Sequence, residues 1–170
     1  MSEASDAMYS TPVYAEGLPN APVTRRFLVC QVPQQLTDLR QQLPADDLPS
    51  ESLSAAEAGD AFEARLTALL QEATIGTHLY VRGDESFLWH VRAAAYQQGL
   101  MDDEISLFRT GDRRNVYCVH CSHMQDVGPG DETTCGGCGV VLTIRTHFSK
   151  RLGAYQGVCL DPDDPYGEAR

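Results

Sequence analysis

The 170-residue sequence lacks several features that would mark a membrane, exported or nucleic-acid-binding protein. No apolar run approaches the roughly 20 residues that a membrane-spanning helix needs. The first 24 residues lack the basic start and apolar stretch of a signal peptide, so we expect a cytoplasmic protein with reduced cysteines. Lysine occurs once, at Lys150, and the net charge is −11, which makes the chain as a whole unsuited to nucleic acid or an anionic membrane.

An alternation of strands and helices fills the first two thirds of the chain. Short apolar or alternating runs predict the strands, and apolar residues recurring at helical spacing predict the helices. Asp84 stands where it can cap the second helix. The predicted elements, in chain order, are a strand at 26–32, a Pro- and Asp-rich loop at 41–52, a helix at 60–73, a strand at 77–81, a helix at 85–98 and a strand at 104–108.

This alternation predicts the α/β class, with right-handed crossovers between parallel strands. The expected fold is a small three-layer, half-Rossmann-like parallel sheet of about three strands, followed by a C-terminal zinc ribbon. The expected boundaries are a flexible arm at 1–24, the α/β domain at 25–112, the ribbon with its following segment at 113–160, and a loose acidic tail at 161–170.

Four of the six cysteines form two Cys-x-x-Cys pairs, Cys118 with Cys121 and Cys135 with Cys138, and thirteen residues separate the pairs. A Cys-x-x-Cys turn points both sulfurs at one centre, and two such turns complete a tetrahedron. Thiolates are the ligands that Zn²⁺ prefers in closed structural sites. The pattern therefore predicts a four-thiolate zinc site, with the strand leaving the second turn at residues 140–145.

Other interpretations of the cysteines are weaker. A disulfide is disfavoured in a reducing compartment, and a redox dithiol needs only one pair, at the start of a helix. A plant-type iron–sulfur centre needs a C-x4-C-x2-C run that is absent, whereas a rubredoxin-like iron site has similar pairs with longer loops. His120 and His123 flank the first pair and are expected on the surface or around the ligands. Cys30 and Cys159 are expected to be inert thiols.

A closed four-thiolate site leaves no open position for substrate, so no catalytic residue is predicted. Such a site stabilises a module too small to fold without it, which favours an interaction role. Arg145, Lys150 and Arg151 follow the cysteines and form either a contact for an acidic partner surface or a solubilising face.

Residues 76–110, "GTHLYVRGDESFLWHVRAAAYQQGLMDDEISLFRT", resemble the end of the nicotinamide-binding domain of ferredoxin reductase-like proteins, especially the phthalate dioxygenase reductase group. Residues 26–43 look like the strand and helix midway through that domain. The resemblance implies a Cys-Gly-Pro turn, but Val81-Arg82-Gly83-Asp84 replaces it, and Phe87 is retained. A Gly-rich pyrophosphate loop and a flavin domain are absent. A pyridine-nucleotide-binding reductase component is therefore kept as an alternative function.

Residues 147–158, "HFSKRLGAYQGV", follow the cysteines and resemble the A-type component family of dimethylamine monooxygenase. That resemblance implies a multi-subunit, haem-dependent enzyme that converts dimethylamine to methylamine and formaldehyde with O₂ and NADPH. Haem, flavin and a [2Fe–2S] centre are expected on partner subunits, because this chain shows no ligand set for them.

On this basis we expect a non-catalytic assembly or docking subunit that holds zinc and binds the haem-bearing and reductase subunits. The predicted partner contacts are His147, Lys150, Arg151 and Tyr155, which could instead only pack the ribbon against the α/β part. A nucleic-acid-binding zinc ribbon is the second alternative function.

Overall fold

The structure, a computed structural model, describes residues 10–19 and 22–166. Within this range the chain divides into two compact units. The α/β unit comprises residues 14–111, and the cysteine unit comprises residues 10–13 together with 112–166. None of the described helices combines the length and the apolar character that crossing a lipid bilayer requires.

The α/β unit is built on a four-stranded parallel sheet with the strand order β2-β1-β3-β4. Short 3₁₀ turns at Gly59–Ala61 and Asp102–Glu104 precede α3 and β4. The elements are β1 (Arg25–Cys30), α1 (Pro33–Gln42), β2 (Ser50–Ser54), α2 (Ala55–Ala58), α3 (Phe62–Gln71), β3 (Thr77–Gly83), α4 (Glu85–Gln97) and β4 (Ile105–Arg109).

Apolar cores lie on both faces of this sheet, and together with the helices they make three layers. Strands β1 and β3 are central and buried on both sides, which is why their sequences are nearly continuous apolar runs. Helices α3 and α4 cover one face, and α1 covers the other. The first core contains Phe27, Val29, Leu53, Phe62, Leu66, Leu70, Leu79, Val81, Leu88, Val91, Ala95, Leu100 and Leu107, and the second contains Leu28, Cys30, Leu36, Leu39, Tyr80 and Phe108.

The structure differs from the predicted α/β unit at one edge. The expected loop at 41–52 contains the end of α1 and the start of β2, so the described sheet has four strands rather than three. Strand β2, with the sequence SESLS, is an edge strand that buries only Leu53 and Ser54. It therefore carries too little apolar character to be recognised by periodicity.

Part of the predicted flexible arm packs against the α/β unit. The Ala15 amide donates to the Leu107 carbonyl at 2.8 Å, and the Trp89 indole donates to the Tyr14 hydroxyl at 3.1 Å. Leu18 packs on the α1 face of the sheet. Residues 1–9 of the predicted arm lie outside the described residues.

The cysteine unit contains a five-stranded sheet with the order β6-β5-β9-β8-β7, in which only β5 and β9 are parallel. Its small core includes Val116, Val140 and Leu142, with Cys118 and Cys135. The strands are β5 (Arg114–Cys118), β6 (Met124–Val127), β7 (Glu132–Thr134), β8 (Val141–Ser149) and β9 (Ala154–Cys159).

The described start of the predicted acidic tail is bonded to the rest of the cysteine unit. The Pro165 carbonyl accepts from the Val141 amide at 3.0 Å, and the Leu160 amide donates to the Val141 carbonyl at 2.9 Å. A carboxylate oxygen of Asp161 accepts from the Asp163 amide at 3.0 Å and so closes a local turn. These bonds hold the segment against the start of β8.

Candidate metal centre

Each Cys-x-x-Cys pair lies in the turn of a hairpin, and the two turns repeat one hydrogen-bond pattern. In the first turn the Cys118 amide donates to the His123 carbonyl at 2.9 Å, and the Ser122 amide donates to the Cys118 carbonyl at 2.8 Å. In the second turn, Cys135 forms the equivalent pair of bonds with Val140 and Gly139, both at 2.9 Å. Both turns therefore present their two sulfurs in the same way.

The fifth position of each turn has a positive φ angle, +63° at Ser122 and +75° at Gly139. Glycine adopts such angles without steric cost, whereas other residues do so rarely. The glycines of the second turn are visible in the sequence, but nothing in the sequence marks Ser122.

The four sulfur atoms converge in space. Cys118 Sγ lies 3.9 Å from Cys138 Sγ, Cys121 Sγ lies 3.6 Å from Cys135 Sγ, and all four sulfurs lie within 4.8 Å of one another. These separations exclude disulfides, whose sulfurs are about 2.05 Å apart. Four sulfurs at the usual Zn–S distance of about 2.3 Å form a tetrahedron with edges of about 3.8 Å. The cluster could therefore hold one metal ion of that size.

Backbone amides around the sulfurs favour the thiolate form. Burial raises the pKa of the Cys135 thiol, but amide N–H groups of Cys138 and Gly137 outweigh burial and lower that pKa to about 6. The Gly137 amide lies 3.4 Å from Cys135 Sγ. Because a metal binds thiolate rather than thiol, this cysteine is suited to be a ligand at neutral pH.

Side chains around the cluster join the two turns. A Cβ atom on Gly137 would lie 2.9 Å from His123 Cβ and 3.3 Å from Cys121 Sγ, so no larger residue fits there. Gln125 on β6 accepts from the Gly136 amide at 2.8 Å and donates to the Thr134 carbonyl at 3.1 Å. The bridging role of Gln125 has no recognisable signal in the sequence.

The other candidate ligands lie away from a metal-binding geometry. Among the described residues, only the four paired cysteines form a group that could bind a metal ion. His120 and His123 are exposed beside the first turn. Cys30 is fully buried, and burial raises the pKa of its thiol to about 12, which suits an inert core residue. Cys159 Sγ donates to the Asp161 carbonyl at 3.2 Å.

The α/β unit has a crevice where a nucleotide-binding fold would receive its ligand. The connections after β1 and β3 leave on opposite faces, and doubly wound sheets bind ligands at such a switch point. Here the Gln31 side chain spans it, donating to Asp84 Oδ2 at 2.8 Å and accepting from the Asp84 amide at 2.9 Å.

Asp84 also accepts from the Phe87 amide at 3.0 Å and caps α4, as predicted from the sequence. A carboxylate at the helix N-terminus opposes a second anion there. The crevice geometry thus disfavours a pyrophosphate.

The four predicted partner-contact residues lie around the β8–β9 hairpin. His147, Lys150 and Arg151 are exposed. Tyr155 is only 8% exposed and packs edge-on against Phe148, with ring centres 4.9 Å apart. The interior position of Tyr155 suits a supporting role rather than a surface contact.

The five histidines present no evident haem site. His78 Nε2 is 2.9 Å from Ser106 Oγ, and His90 Nε2 is 2.8 Å from Glu63 Oε1. The other three histidines are exposed. The geometry of these side chains does not fit an axial ligand in a closed apolar pocket.

These observations define the class of the protein: an α/β unit on a parallel sheet, joined to a small β unit with four cysteines that could bind one metal ion. The family is given by comparison with known sequences. The description "Dimethylamine monooxygenase subunit DmmA-like, N-terminal domain" matches residues 20–105, and the corresponding C-terminal domain matches residues 115–158. The first match alone covers half of the chain, so the chain belongs to the DmmA-like family. This confirms the resemblance noted in the sequence.

A curated relative is described as "Heme-dependent oxidative N-demethylase delta subunit" from Ectopseudomonas mendocina (strain ymp). It is 46% identical over 102 residues, which cover 59% of this chain and 58% of the relative. The match thus spans little more than half of that protein. No solved structure gave a significant match.

Proposed function

We propose that this chain is a non-catalytic assembly subunit of a haem-dependent, NADPH-using dimethylamine monooxygenase. That enzyme converts dimethylamine, O₂ and NADPH to methylamine and formaldehyde. Haem, flavin and a [2Fe–2S] centre lie on partner subunits, and this chain carries one structural zinc ion. Support comes from membership of the DmmA-like family and from the name of the similar delta subunit.

The observation that carries the non-catalytic part is the closed sulfur cluster. Cys118, Cys121, Cys135 and Cys138 supply four thiolates at one point, and this number fills the tetrahedral coordination of Zn²⁺. A metal held in this way has no open position for water, substrate or O₂. Zinc also has no redox chemistry, so electrons from NADPH would pass through the partner subunits.

The α/β unit supports the same conclusion. Gln31 and Asp84 fill the crevice in which a reductase would place its nucleotide. We expect NADPH to leave the melting temperature of the isolated full-length chain unchanged. A saturable rise at micromolar NADPH would instead favour the alternative of a nucleotide-binding reductase component.

Co-expression tests the assembly role. The full-length chain is produced together with the haem-bearing and reductase subunits, and the same set is produced without it. We expect dimethylamine-dependent NADPH oxidation and a stable complex only when the chain is present. Full activity and an intact complex in its absence would contradict the proposal. A chain that oxidises NADPH with dimethylamine on its own would contradict the non-catalytic assignment.

A further inference from the structure

The end of the β8–β9 hairpin concentrates positive charge in an acidic chain. Arg145, His147, Lys150 and Arg151 are all exposed there, and we call these four residues the basic tip. No aspartate or glutamate occurs between Glu132 and Asp161, so the hairpin has no acidic residue of its own. Three permanent positive charges therefore lie close together in a chain whose net charge is −11.

A break in strand pairing exposes one side of the basic tip. Between Ile144 and Phe148 strand β8 advances four residues, whereas β9 advances only two, from Gly157 to Tyr155. The two extra residues form a bulge, and bulges redirect side chains out of the regular ladder. Residues 145–147 are exposed as a result.

A tight turn brings the other two cations to the same end of the hairpin. The Gly153 amide donates to the Ser149 carbonyl at 2.8 Å, and Gly153 has a φ angle of +62°. The Asn115 side chain holds this turn from β5, donating to the Gly153 carbonyl at 3.2 Å. Lys150 and Arg151 therefore project from a turn that is fixed on both sides.

Buried aromatic rings support the basic tip from below. Phe148 and Tyr155 are 3% and 8% exposed and pack edge-on, and the Arg114 guanidinium lies over the Tyr155 ring at 5.1 Å. Ser10 binds the outer edge of β8: its carbonyl accepts from the Phe148 amide at 3.2 Å, and its Oγ lies 3.2 Å from His147 Nδ1. A surface whose backbone is already ordered loses little entropy when a partner binds.

The cations of the basic tip lack the partners that other cations of the chain have. Arg25, Arg26, Arg92, Arg109 and Arg113 each form an ion pair. Across residues 10–19 and 22–166, no carboxylate pairs with Arg145, Lys150 or Arg151. Their charge is therefore available to another molecule.

We propose that the basic tip is a docking surface for an acidic patch on a partner protein. The proposal rests on the proposed function, because the partner is another subunit of the same complex. A few carboxylates match three clustered cations, and arginine can bind a carboxylate through two parallel hydrogen bonds. An extended polyanion would instead meet the acidic remainder of the chain, since screening acts over about 8 Å at physiological ionic strength.

Charge reversal in the full-length chain tests the proposal. Lys150→Glu with Arg151→Glu is compared with wild type for binding to the haem-bearing and reductase subunits, at several salt concentrations. We expect the Kd to rise about tenfold or more, with a weaker salt dependence. The single Arg151→Glu variant is matched with Arg65→Glu, which makes the same charge change at an exposed position on α3. The Arg65→Glu variant should bind like wild type.

The outcomes separate this proposal from the proposed function. Zinc content and circular dichroism first show that each variant is folded. If wild type joins the complex and the double variant joins it with the same Kd and salt dependence, the docking assignment is wrong and membership of the complex stands. If wild type binds neither the haem-bearing nor the reductase component, the proposed function is wrong. Tighter binding of wild type to duplex DNA or phosphatidylserine vesicles than to these components would overturn the choice of a protein partner.

Discussion

The two units of the chain have very different resources for holding their folds. The α/β unit buries thirteen residues in one apolar core and six in another, on the two faces of its sheet. The cysteine unit has one core cluster of five residues, and two of these are cysteines of the sulfur cluster. Small modules with so little apolar burial usually require a metal or disulfides. The α/β unit therefore depends on hydrophobic packing, and we expect the cysteine unit to depend on its metal.

The largest expected effect comes from removing one thiolate. Cys135→Ser should release the metal and unfold the cysteine unit, because metal binding supplies the folding free energy of such modules. Hydrogen exchange of the full-length chain should show loss of protection in β8 and β9, with β1 and β3 still protected. Cys159→Ser is the matched control, since Cys159 lies outside the sulfur cluster. Equal loss of protection in both units would contradict the comparison.

The converse change acts on the α/β unit. Leu66 is fully buried in its larger core, so Leu66→Ala should lower the free energy of unfolding by about 2–5 kcal/mol. Chemical denaturation would measure the loss, and metal analysis should show full retention of zinc. Ala68→Gly, at an exposed position of the same helix, controls for helix propensity and should cost about 1 kcal/mol. Zinc loss in Leu66→Ala would show that the two units do not keep separate sources of stability.

A smaller effect separates the two cysteine turns. Gly139→Ala should destabilise the cysteine unit by about 1 kcal/mol, because its φ angle of +75° suits glycine. Ser122→Gly, at the equivalent position with a φ angle of +63°, should stabilise that unit by up to about 1 kcal/mol. Zinc affinity measured with a competing chelator should shift in the same directions. Opposite signs, or equal effects, would show that the two turns are not equivalent.

The smallest effect is a pH dependence confined to the α/β unit. Burial lowers the pKa of His78, and the charges of Glu104 and Asp103 only partly oppose this. Below the ordinary histidine pKa of about 6.5 the unfolded chain therefore binds more protons than the folded chain. Stability should fall as the pH drops through this value and level off below the folded-state pKa.

His78→Gln tests that pH dependence. The variant should flatten the stability profile of the α/β unit between pH 6.5 and lower values, as followed by denaturation at each pH. His90→Gln, which changes an exposed histidine, should keep the wild-type profile. A steep profile that persists in His78→Gln would assign the pH dependence to another group.

How far the sequence predicted the structure depends on the kind of signal each element carries. Strands β1 and β3 and helices α3 and α4 bury apolar residues in regular patterns, and all four were located within a few residues. The edge strand β2 was missed because SESLS is mostly polar.

The sulfur cluster was predictable because Cys-x-x-Cys spacing is a local property of the sequence, and the four sulfurs do converge. The supporting contacts were not predictable, because they join residues far apart in sequence. Gln125 bonds the second cysteine turn, and Gln31 bonds Asp84 across the crevice. The burial of Tyr155 depends in the same way on Phe148 and Arg114.

The central claim is that four thiolates hold one structural zinc ion in a subunit without redox chemistry of its own. The most direct test is elemental analysis of the full-length chain purified at native expression, alongside Cys135→Ser. We expect about one zinc and little iron per wild-type chain, and no zinc in the variant. Iron in proportion to the chain, with a visible thiolate-to-iron absorption band, would contradict the account and place an electron-transfer centre in this subunit.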